Sequence, residues 1–241
     1  MADYTVDINM SDATVNALLA KGSSLYAFKA IVATSTDGVP VVWFKTQNFA
    51  TDTLVQWQVS YEAYTSLTAI VPGGQITASN HYPIDLGQRL VVTGNTGTGA
   101  VDGSGTGEAI SILNQSPKHV PMTCGISQMV AGSAKPMCAF PLSGSDLDVF
   151  APIEKVFLMF ATKQVNTGTV IEQSFGQGVF IDLTAQNSRN LTYDIDAGWS
   201  WDGGVWAKAY PASTLMVPFL IESSATLSAS KDKLLLAAKA A

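Results

Sequence analysis

The feature that most constrains the fold of this chain is a succession of short segments in which apolar and polar residues alternate. The clearest lies in residues 54–64, where the character changes at every position: Val55, Trp57, Val59 and Tyr61 alternate with Gln56, Gln58, Ser60 and Glu62. A period of two predicts a β-strand with one buried and one solvated face. About a dozen segments of this kind predict an all-β fold, built as an antiparallel β-sandwich.

Helical patterns occur only near the two ends. Ser11 or Asp12 is a suitable N-cap for a short helix that stops at Gly22. Residues 228–241 are rich in Leu, Ala and Lys, which predicts a short C-terminal helix. We therefore expect one β-sandwich domain over residues 1–227, followed by a helical tail.

A division of the sandwich into two packed β subdomains is an alternative. Residues 116–134 contain prolines and glycines with weak periodicity, which predicts an irregular crossover. The crossover would join one half, residues 1–115, to a second half, residues 135–227. The last predicted strand, residues 215–221, contains Pro218 and is expected to lie at a sheet edge or to carry a bulge, because proline cannot donate a ladder hydrogen bond.

The charge of the chain limits its partners. Its 13 Lys and Arg residues are scattered singly and the net charge is −6, so nucleic acid is not an expected partner. The N-terminus lacks a secretory pattern and no apolar run reaches the length of a spanning helix, which predicts a soluble protein, cytoplasmic as synthesised. Release by a non-classical route stays open. Cys124 and Cys138 are expected to be reduced thiols, while their spacing permits a disulfide in an oxidising medium.

Catalytic motifs are scarce. The two histidines, His81 and His119, lie near prolines in predicted loops, without a Gly-x-Ser-x-Gly nucleophile motif. We therefore expect a protein that is not an enzyme. A glycoside hydrolase that uses a pair of carboxylates is an alternative, since the sequence does not place Glu62 and Glu172 relative to the aspartates described next.

Residues 190–210 carry a group of carboxylates at the spacing that a hard cation accepts. Asp194, Asp196 and Asp202 are the candidate ligands, and Ca²⁺ is the cation that prefers such oxygen donors. The segment is not an EF-hand, because Val205 stands where the bidentate Glu would fall. We expect no cofactor, with Ca²⁺ at these three residues as an alternative.

The same stretch predicts a recognition surface. Residues 190–196 alternate as a strand, and the chain turns after Gly198 and returns over residues 205–210, which predicts a β-hairpin with an aromatic tip. The candidate ligand-binding residues share an amphipathic aromatic side chain, suited to sugar rings or to a lipid–water boundary: Tyr193, Trp199, Trp201, Trp206 and Tyr210. Alternating aromatics also fill sandwich cores, so burial of these residues is the alternative.

These patterns favour a recognition protein that binds glycans or membrane lipid headgroups through the aromatic hairpin. Intracellular lectins and membrane-acting or pore-forming defence toxins, which form homo-oligomers, are examples of that class. A structural or self-assembling β protein is the first alternative, because low charge and free strand edges suit assembly. The carboxylate-pair hydrolase is the second.

Overall fold

The computed structural model describes residues 3–225 and residue 228. The protein has an all-β, sandwich-like fold with about 52% strand and 7% helix. The fold class predicted from the alternating segments is therefore confirmed. The helix predicted over residues 228–241 lies, except for its first residue, outside the described part of the chain.

Numbered along the chain, the described strands are β1 (Asp3–Asn9), β2 (Ser24–Ala33), β3 (Val39–Pro40), β4 (Phe44–Thr46), β5 (Asp52–Ser66), β6 (Asn80–Ile84), β7 (Arg89–Val92), β8 (Gly99–Asp102), β9 (Ile110–Asn114), β10 (Met122–Val130), β11 (Ser133–Pro136), β12 (Cys138–Leu142), β13 (Leu147–Ala161), β14 (Gly178–Asp182), β15 (Ser188–Asp194), β16 (Gly198–Ser200), β17 (Ala207–Tyr210) and β18 (Ile221–Ser223). The described helices are α1 (Asp12–Ala20) and α2 (Val217–Leu220). Neither of these helices is long and apolar enough to cross a membrane.

The first sheet contains the N-terminal strand. Its order is β16-β15-β1-β5-β10-β12-β3, with β6 paired to β5 and β11 paired to β10. Strand β1 is antiparallel to β5 and parallel to β15. Strands from the N-terminal and C-terminal parts of the chain are therefore neighbours within one sheet.

The second sheet is organised around the two longest buried strands, β2 and β13. Its order is β17-β14-β13-β9-β7-β8, and β2 pairs with β13 on one side and with β4 and β18 on the other. Strand β2 is buried along almost its whole length, as the continuous apolar run over residues 25–33 predicts. One face, with Leu25 and Ile31, enters the core between the sheets, while Tyr26 and Phe28 pack in a second cluster with α2.

The short N-terminal helix is confirmed. Ser11 is the N-cap of α1, and its hydroxyl accepts a hydrogen bond from the backbone N–H of Thr14 at 3.1 Å. Leu18 packs in the main core, and the chain leaves the helix through Gly22 at a φ of 65°. Leu18 therefore anchors the helix to the main core.

The irregular crossover predicted over residues 116–134 is wrong over Met122–Val130, which form the buried strand β10. Apolar and polar residues do not alternate in this strand, because some of its buried positions are occupied by polar residues. Ser127 and Gln128 are buried, and the absent side chain of Gly125 leaves room for the ring of Tyr64 and for the backbone of Cys138. A strand that is buried on both faces and contains small and polar residues gives no period-two signal.

The edge strand predicted over residues 215–221 is also wrong over most of its length. Val217–Leu220 is a single helical turn, with Pro218 in its first positions. The missing N–H of proline has no cost there, because the first N–H groups of a helix have no intrahelical partner. Only Ile221 continues into a strand, β18, which pairs in parallel with β2.

Candidate functional site

The aromatic hairpin predicted over residues 190–210 forms differently from the prediction. Strand β15 turns directly into β16, and the two pair antiparallel. Strand β17 does not return to β15 but pairs with β14 in the second sheet. The chain therefore crosses from one sheet to the other through residues 201–206, which we call the tryptophan loop.

Two of the predicted site residues lie in the core. Tyr193 is 9% exposed and Trp199 is 6% exposed. Their rings pack on Phe160, with the Trp199 ring stacked at 5.7 Å and an angle of 17°. Both aromatic faces are therefore largely covered by the protein.

Trp201 and Trp206 are half-buried and form the base of the tryptophan loop. Their rings lie 6.3 Å apart, and both indole N–H groups donate inside the loop. Trp201 Nε1 donates to the carbonyl oxygen of Gly204 at 2.8 Å, and Trp206 Nε1 donates to Asp202 Oδ1 at 3.0 Å. Val205, between Gly204 and Trp206, is fully exposed. The loop thus presents an exposed aliphatic side chain beside two ordered tryptophans.

The fifth predicted residue, Tyr210, lies in the second sheet and away from this loop's hydrogen bonds. Its ring stacks on Phe219 at 4.7 Å in the cluster beneath α2. Lys208 Nζ lies 4.9 Å from the centre of the same ring. The structure therefore brings Trp201 and Trp206 together but places Tyr210 in a different environment.

The carboxylates predicted as cation ligands are used as local hydrogen-bond acceptors. Asp194 Oδ1 accepts from the backbone N–H groups of Asp196 and Ala197, each at 2.9 Å, and Asp194 Oδ2 accepts from Thr14 Oγ1 at 3.1 Å. The N–H groups of Ala197 and Asp196 lower the pKa of Asp194. Asp202 Oδ1 accepts from Trp206 and from the backbone N–H of Gly204. Within the described residues, no group of three or more His, Cys, Asp or Glu side chains is arranged to hold a metal ion.

The histidines and glutamates considered for catalysis do not form one cluster. His119 Nδ1 is 3.1 Å from Ser145 Oγ, and both side chains are exposed. His81 Nδ1 is 3.4 Å from Glu62 Oε2. Glu172 lines a depression that does not include Glu62. A Ser–His contact alone supplies two of the three members of a catalytic triad, in which the third member orients the imidazole.

A groove of about 880 Å³ lies where strands of the two sheets meet. Strand β4 of the second sheet forms one wall, and the start of β5 forms the other. The turn between β10 and β11 closes the groove, with Ala131 at a φ of 47° and Gly132 at a φ of 77°. We call this feature the sheet-edge groove.

The lining of the sheet-edge groove combines apolar and amide side chains. Phe44 and Met129 are half-buried in its walls, and Leu54 is 55% exposed. The remaining side chains include four polar ones that form no hydrogen bond with another described residue, and these are Asn48, Asp52, Gln56 and Gln58. Asp52 is the one ionisable group among the described lining residues.

The floor of the groove is fixed by a buried polar network. Trp57 is 1% exposed and stacks on Tyr4 at 5.8 Å. Its Nε1 donates to Glu154 Oε2 at 2.8 Å, and Lys29 Nζ lies 2.6 Å from the same oxygen. The Lys29 ammonium also lies 4.7 Å from the Trp57 ring centre. These contacts order the aromatic floor before any ligand arrives.

Sequence reasoning missed this site, although part of the signal was present. The solvated face predicted in residues 54–64 contains Gln56 and Gln58. Lys29 is the only charged residue in the apolar run over residues 25–33, and that exception marked the buried network. The turn at Ala131 could not be found, because it lies in the segment predicted as an irregular crossover.

Comparison with known proteins adds no functional information. The chain matches no family model, and no curated protein or solved structure matches it. The geometry of the groove and of the tryptophan loop is therefore the basis of the functional proposals.

Proposed function

We propose that this chain is a non-enzymatic recognition protein that binds neutral glycans in the sheet-edge groove. The observation that carries the proposal is the lining: exposed amides and one carboxylate beside exposed apolar surface, backed by the buried and ordered Trp57. Ligand sites are commonly concave, largely apolar and provided with a few polar groups that fix orientation.

The chemistry of the lining matches that of a sugar. The amides of Gln56 and Gln58 each donate and accept, which suits hydroxyl groups that also do both. Leu54 and Phe44 offer apolar surface to the C–H face of a pyranose ring. Asp52 disfavours an anionic ligand, because like charges in a partly desolvated groove repel each other. A neutral glycan satisfies all three features.

A binding role is favoured over acid–base catalysis at this groove. A glycosidase of the usual kind needs two carboxyl groups on either side of the scissile bond. Asp52 alone among the described lining residues could supply one. The proposal is therefore recognition without turnover.

A glycan array with purified protein, followed by titration calorimetry on the neutral glycans that bind, tests the proposal. The Gln56→Ala/Gln58→Ala protein should bind at least about tenfold more weakly, because two or more hydrogen bonds of about 1 kcal/mol each are lost. Both residues are exposed, so the fold should be kept.

Gln115→Ala is the matched control. Gln115 is an exposed glutamine that follows β9 in the second sheet and does not line the groove. Its replacement should leave glycan binding unchanged. Failure of the wild-type protein to bind any neutral glycan, or equal binding by the groove variant and the control, would overturn the proposal.

Contact with lipid headgroups is a second candidate function, favoured by Val205. A fully exposed aliphatic side chain in a loop with two tryptophans is suited to the boundary between lipid and water. Arg189 lies 4.6 Å from the Trp206 ring centre and places a cation close to the same loop.

Co-sedimentation with phosphatidylcholine vesicles tests this second function. Val205→Asp should lower the vesicle-bound fraction, because a charge is placed where the aliphatic side chain would enter the interface. Val71→Asp is the matched control, since Val71 is an exposed valine (50%) in a different loop. Equal sedimentation of the two variants would count against a role for the tryptophan loop at membranes.

A further inference from the structure

The outer face of the first sheet carries polar side chains in register, beginning at the groove. Four strands, β5, β1, β15 and β16, are neighbours here. Their outward residues pair across the strands in three rows, which are Gln56–Thr5–Ser188, Leu54–Asp7–Asn190 and Asp52–Asn9–Thr192–Ser200. The β5 residue at the start of each row also lines the sheet-edge groove.

These rows face solvent, and most of their polar side chains form no hydrogen bond with another described side chain. The β5 and β15 residues of the rows are exposed, and those of the central strand β1 are half-buried. Asp7, Asn9 and Asn190 form no side-chain hydrogen bond with another described residue. Thr5 and Ser188 bond only to each other among the described side chains, at 2.9 Å.

The charge of the face is one-sided. Asp3, Asp7 and Asp52 point outward from β1 and β5, and no outward residue of the four strands is Lys, Arg or His. An anionic polymer would be repelled here. Amide, hydroxyl and carboxylate groups without a cation are complementary to a polymer of neutral hydroxylated units.

The spacing of the rows has a period that such a polymer can match. Neighbouring strands lie about 4.8 Å apart, so the four strands span about 14 Å. That repeat is close to the length of one unit in an extended, β-1,4-linked pyranose chain. The row Asp52–Asn9–Thr192–Ser200 can therefore offer one polar side chain to each of four successive sugars, while the other two rows end at β15.

We propose that this face is a binding track for a linear, neutral, β-1,4-linked glycan, which leaves the sheet-edge groove and runs across the strands towards β16. The inference rests on the proposed function, because the groove holds one end of the chain. Continuity of the rows with the groove, and the absence of cations among the outward residues, select this occupant over an anionic polymer.

Titration calorimetry with oligosaccharides of two to six units tests the track. The probes are the neutral β-1,4-linked oligomers of glucose, xylose, mannose and N-acetylglucosamine. Affinity for the preferred series should rise at least about tenfold between two and six units, because about four units fit across the strands. Oligogalacturonides should not bind measurably.

The Asn190→Ala protein shows where the additional affinity arises. Asn190 lies at the far end of its row, two strands from the groove. Its replacement should reduce the ratio of six-unit to two-unit affinity about fivefold, the effect of one lost hydrogen bond. Gln115→Ala is the control and should keep the wild-type ratio.

The outcomes separate the track from the groove. If affinity is independent of chain length while Gln56→Ala/Gln58→Ala still weakens binding at least about tenfold, the track is overturned and the groove stands. If no neutral glycan binds, the proposed glycan site in the groove and the proposed track are both overturned. If sedimentation velocity shows a dimer that Asn190→Ala dissociates, and affinity does not depend on length, the face belongs to a second copy of the chain and the track is overturned.

Discussion

Lys29 Nζ lies 2.6 Å from Glu154 Oε2, and this ion pair stands inside the sandwich beneath the sheet-edge groove. The Lys29 side chain is fully buried, and that of Glu154 is 12% exposed. Both come from the second sheet, while Trp57, which donates to the same carboxylate, comes from the first. Burial lowers the pKa of Lys29, and the neighbouring Glu154 acts in the opposite direction. The pair therefore joins the two sheets through one shared carboxylate.

Replacing Lys29 with Met should destabilise the protein by about 3 to 5 kcal/mol, because Glu154 would lose its cation while remaining mostly buried. Glu154→Gln should also destabilise, since Lys29 would then be charged without a counterion. Chemical denaturation of both proteins measures these free energies. The double variant should lose less than the sum of the two, with a coupling of at least about 1 kcal/mol. Additive losses would show that the two side chains do not interact energetically.

Trp199→Ala should lower the free energy of unfolding by about 3 to 5 kcal/mol, as deletion of a buried large aromatic does. Trp201→Ala should cost less, because Trp201 is half-buried. Val205→Asp should change stability by no more than about 0.5 kcal/mol, since Val205 touches solvent on all sides. Thermal melts of the three proteins give the order. Equal melting temperatures for Trp199→Ala and Val205→Asp would contradict the burial of Trp199.

The two cysteines should react with maleimide only after unfolding. Burial raises the pKa of Cys138 from 9.0 to about 12, and burial followed by the nearby Asp148 raises the pKa of Cys124. The reactive thiolate is therefore disfavoured in the folded state. Mass spectrometry at pH 8, with and without denaturant, counts the labelled thiols. Rapid labelling of the native protein would contradict this prediction.

The raised pKa values of the same thiols lead us to expect a loss of stability in alkali. Between the unfolded and the folded pKa, the folded chain keeps a proton that the unfolded chain releases, so unfolding becomes easier as the pH rises from about 9. The Cys124→Ala/Cys138→Ala protein should lose stability less steeply between pH 8 and pH 10.5. Urea denaturation at both pH values measures the slope. Identical slopes would show that the thiols titrate normally.

The lowered pKa of Asp194 leads us to expect a loss of stability in acid. Its folded pKa lies below the ordinary value of 3.8, so its contribution is complete above that value and is lost as the pH falls through the folded pKa. Asp194→Asn keeps an acceptor oxygen but does not titrate. Melting temperatures between pH 2 and pH 5 should therefore fall less in Asp194→Asn than in the wild-type protein. Parallel curves would contradict the prediction.

The fold class could be predicted from the sequence because burial on one face leaves a period of two, as in β5. The short helix α1 could be predicted because Ser11 marks its start. The path of the chain after β16 could not, because residues 201–206 carry signals typical of any turn and the choice of sheet depends on distant partners. Strand β10 was missed because its buried polar residues remove the periodic signal.

The candidate site was harder to predict than the fold. The tryptophans concentrated in residues 190–210 suggested a ligand-binding surface there. The Trp199 ring instead stacks on Phe160, a residue of the other sheet. The spacing of residues along one strand does not predict which residues of the other sheet they contact. The sheet-edge groove needs Phe44, Leu54 and Met129 together, and only the three-dimensional arrangement brings these distant residues to one place.

The parallel pairing of β1 with β15 has a consequence for synthesis of the protein. Thr5 contacts Ser188, a residue 183 positions later. Strand β1 can pair with β5 early during translation, but its other edge stays open until β15, about 180 residues later, has left the ribosome. Topologies that depend on such distant contacts fold slowly, and open strand edges invite aggregation in the meantime. Slow translation between residues 66 and 188 should therefore reduce the soluble yield, and occupation of that edge by a chaperone should restore it.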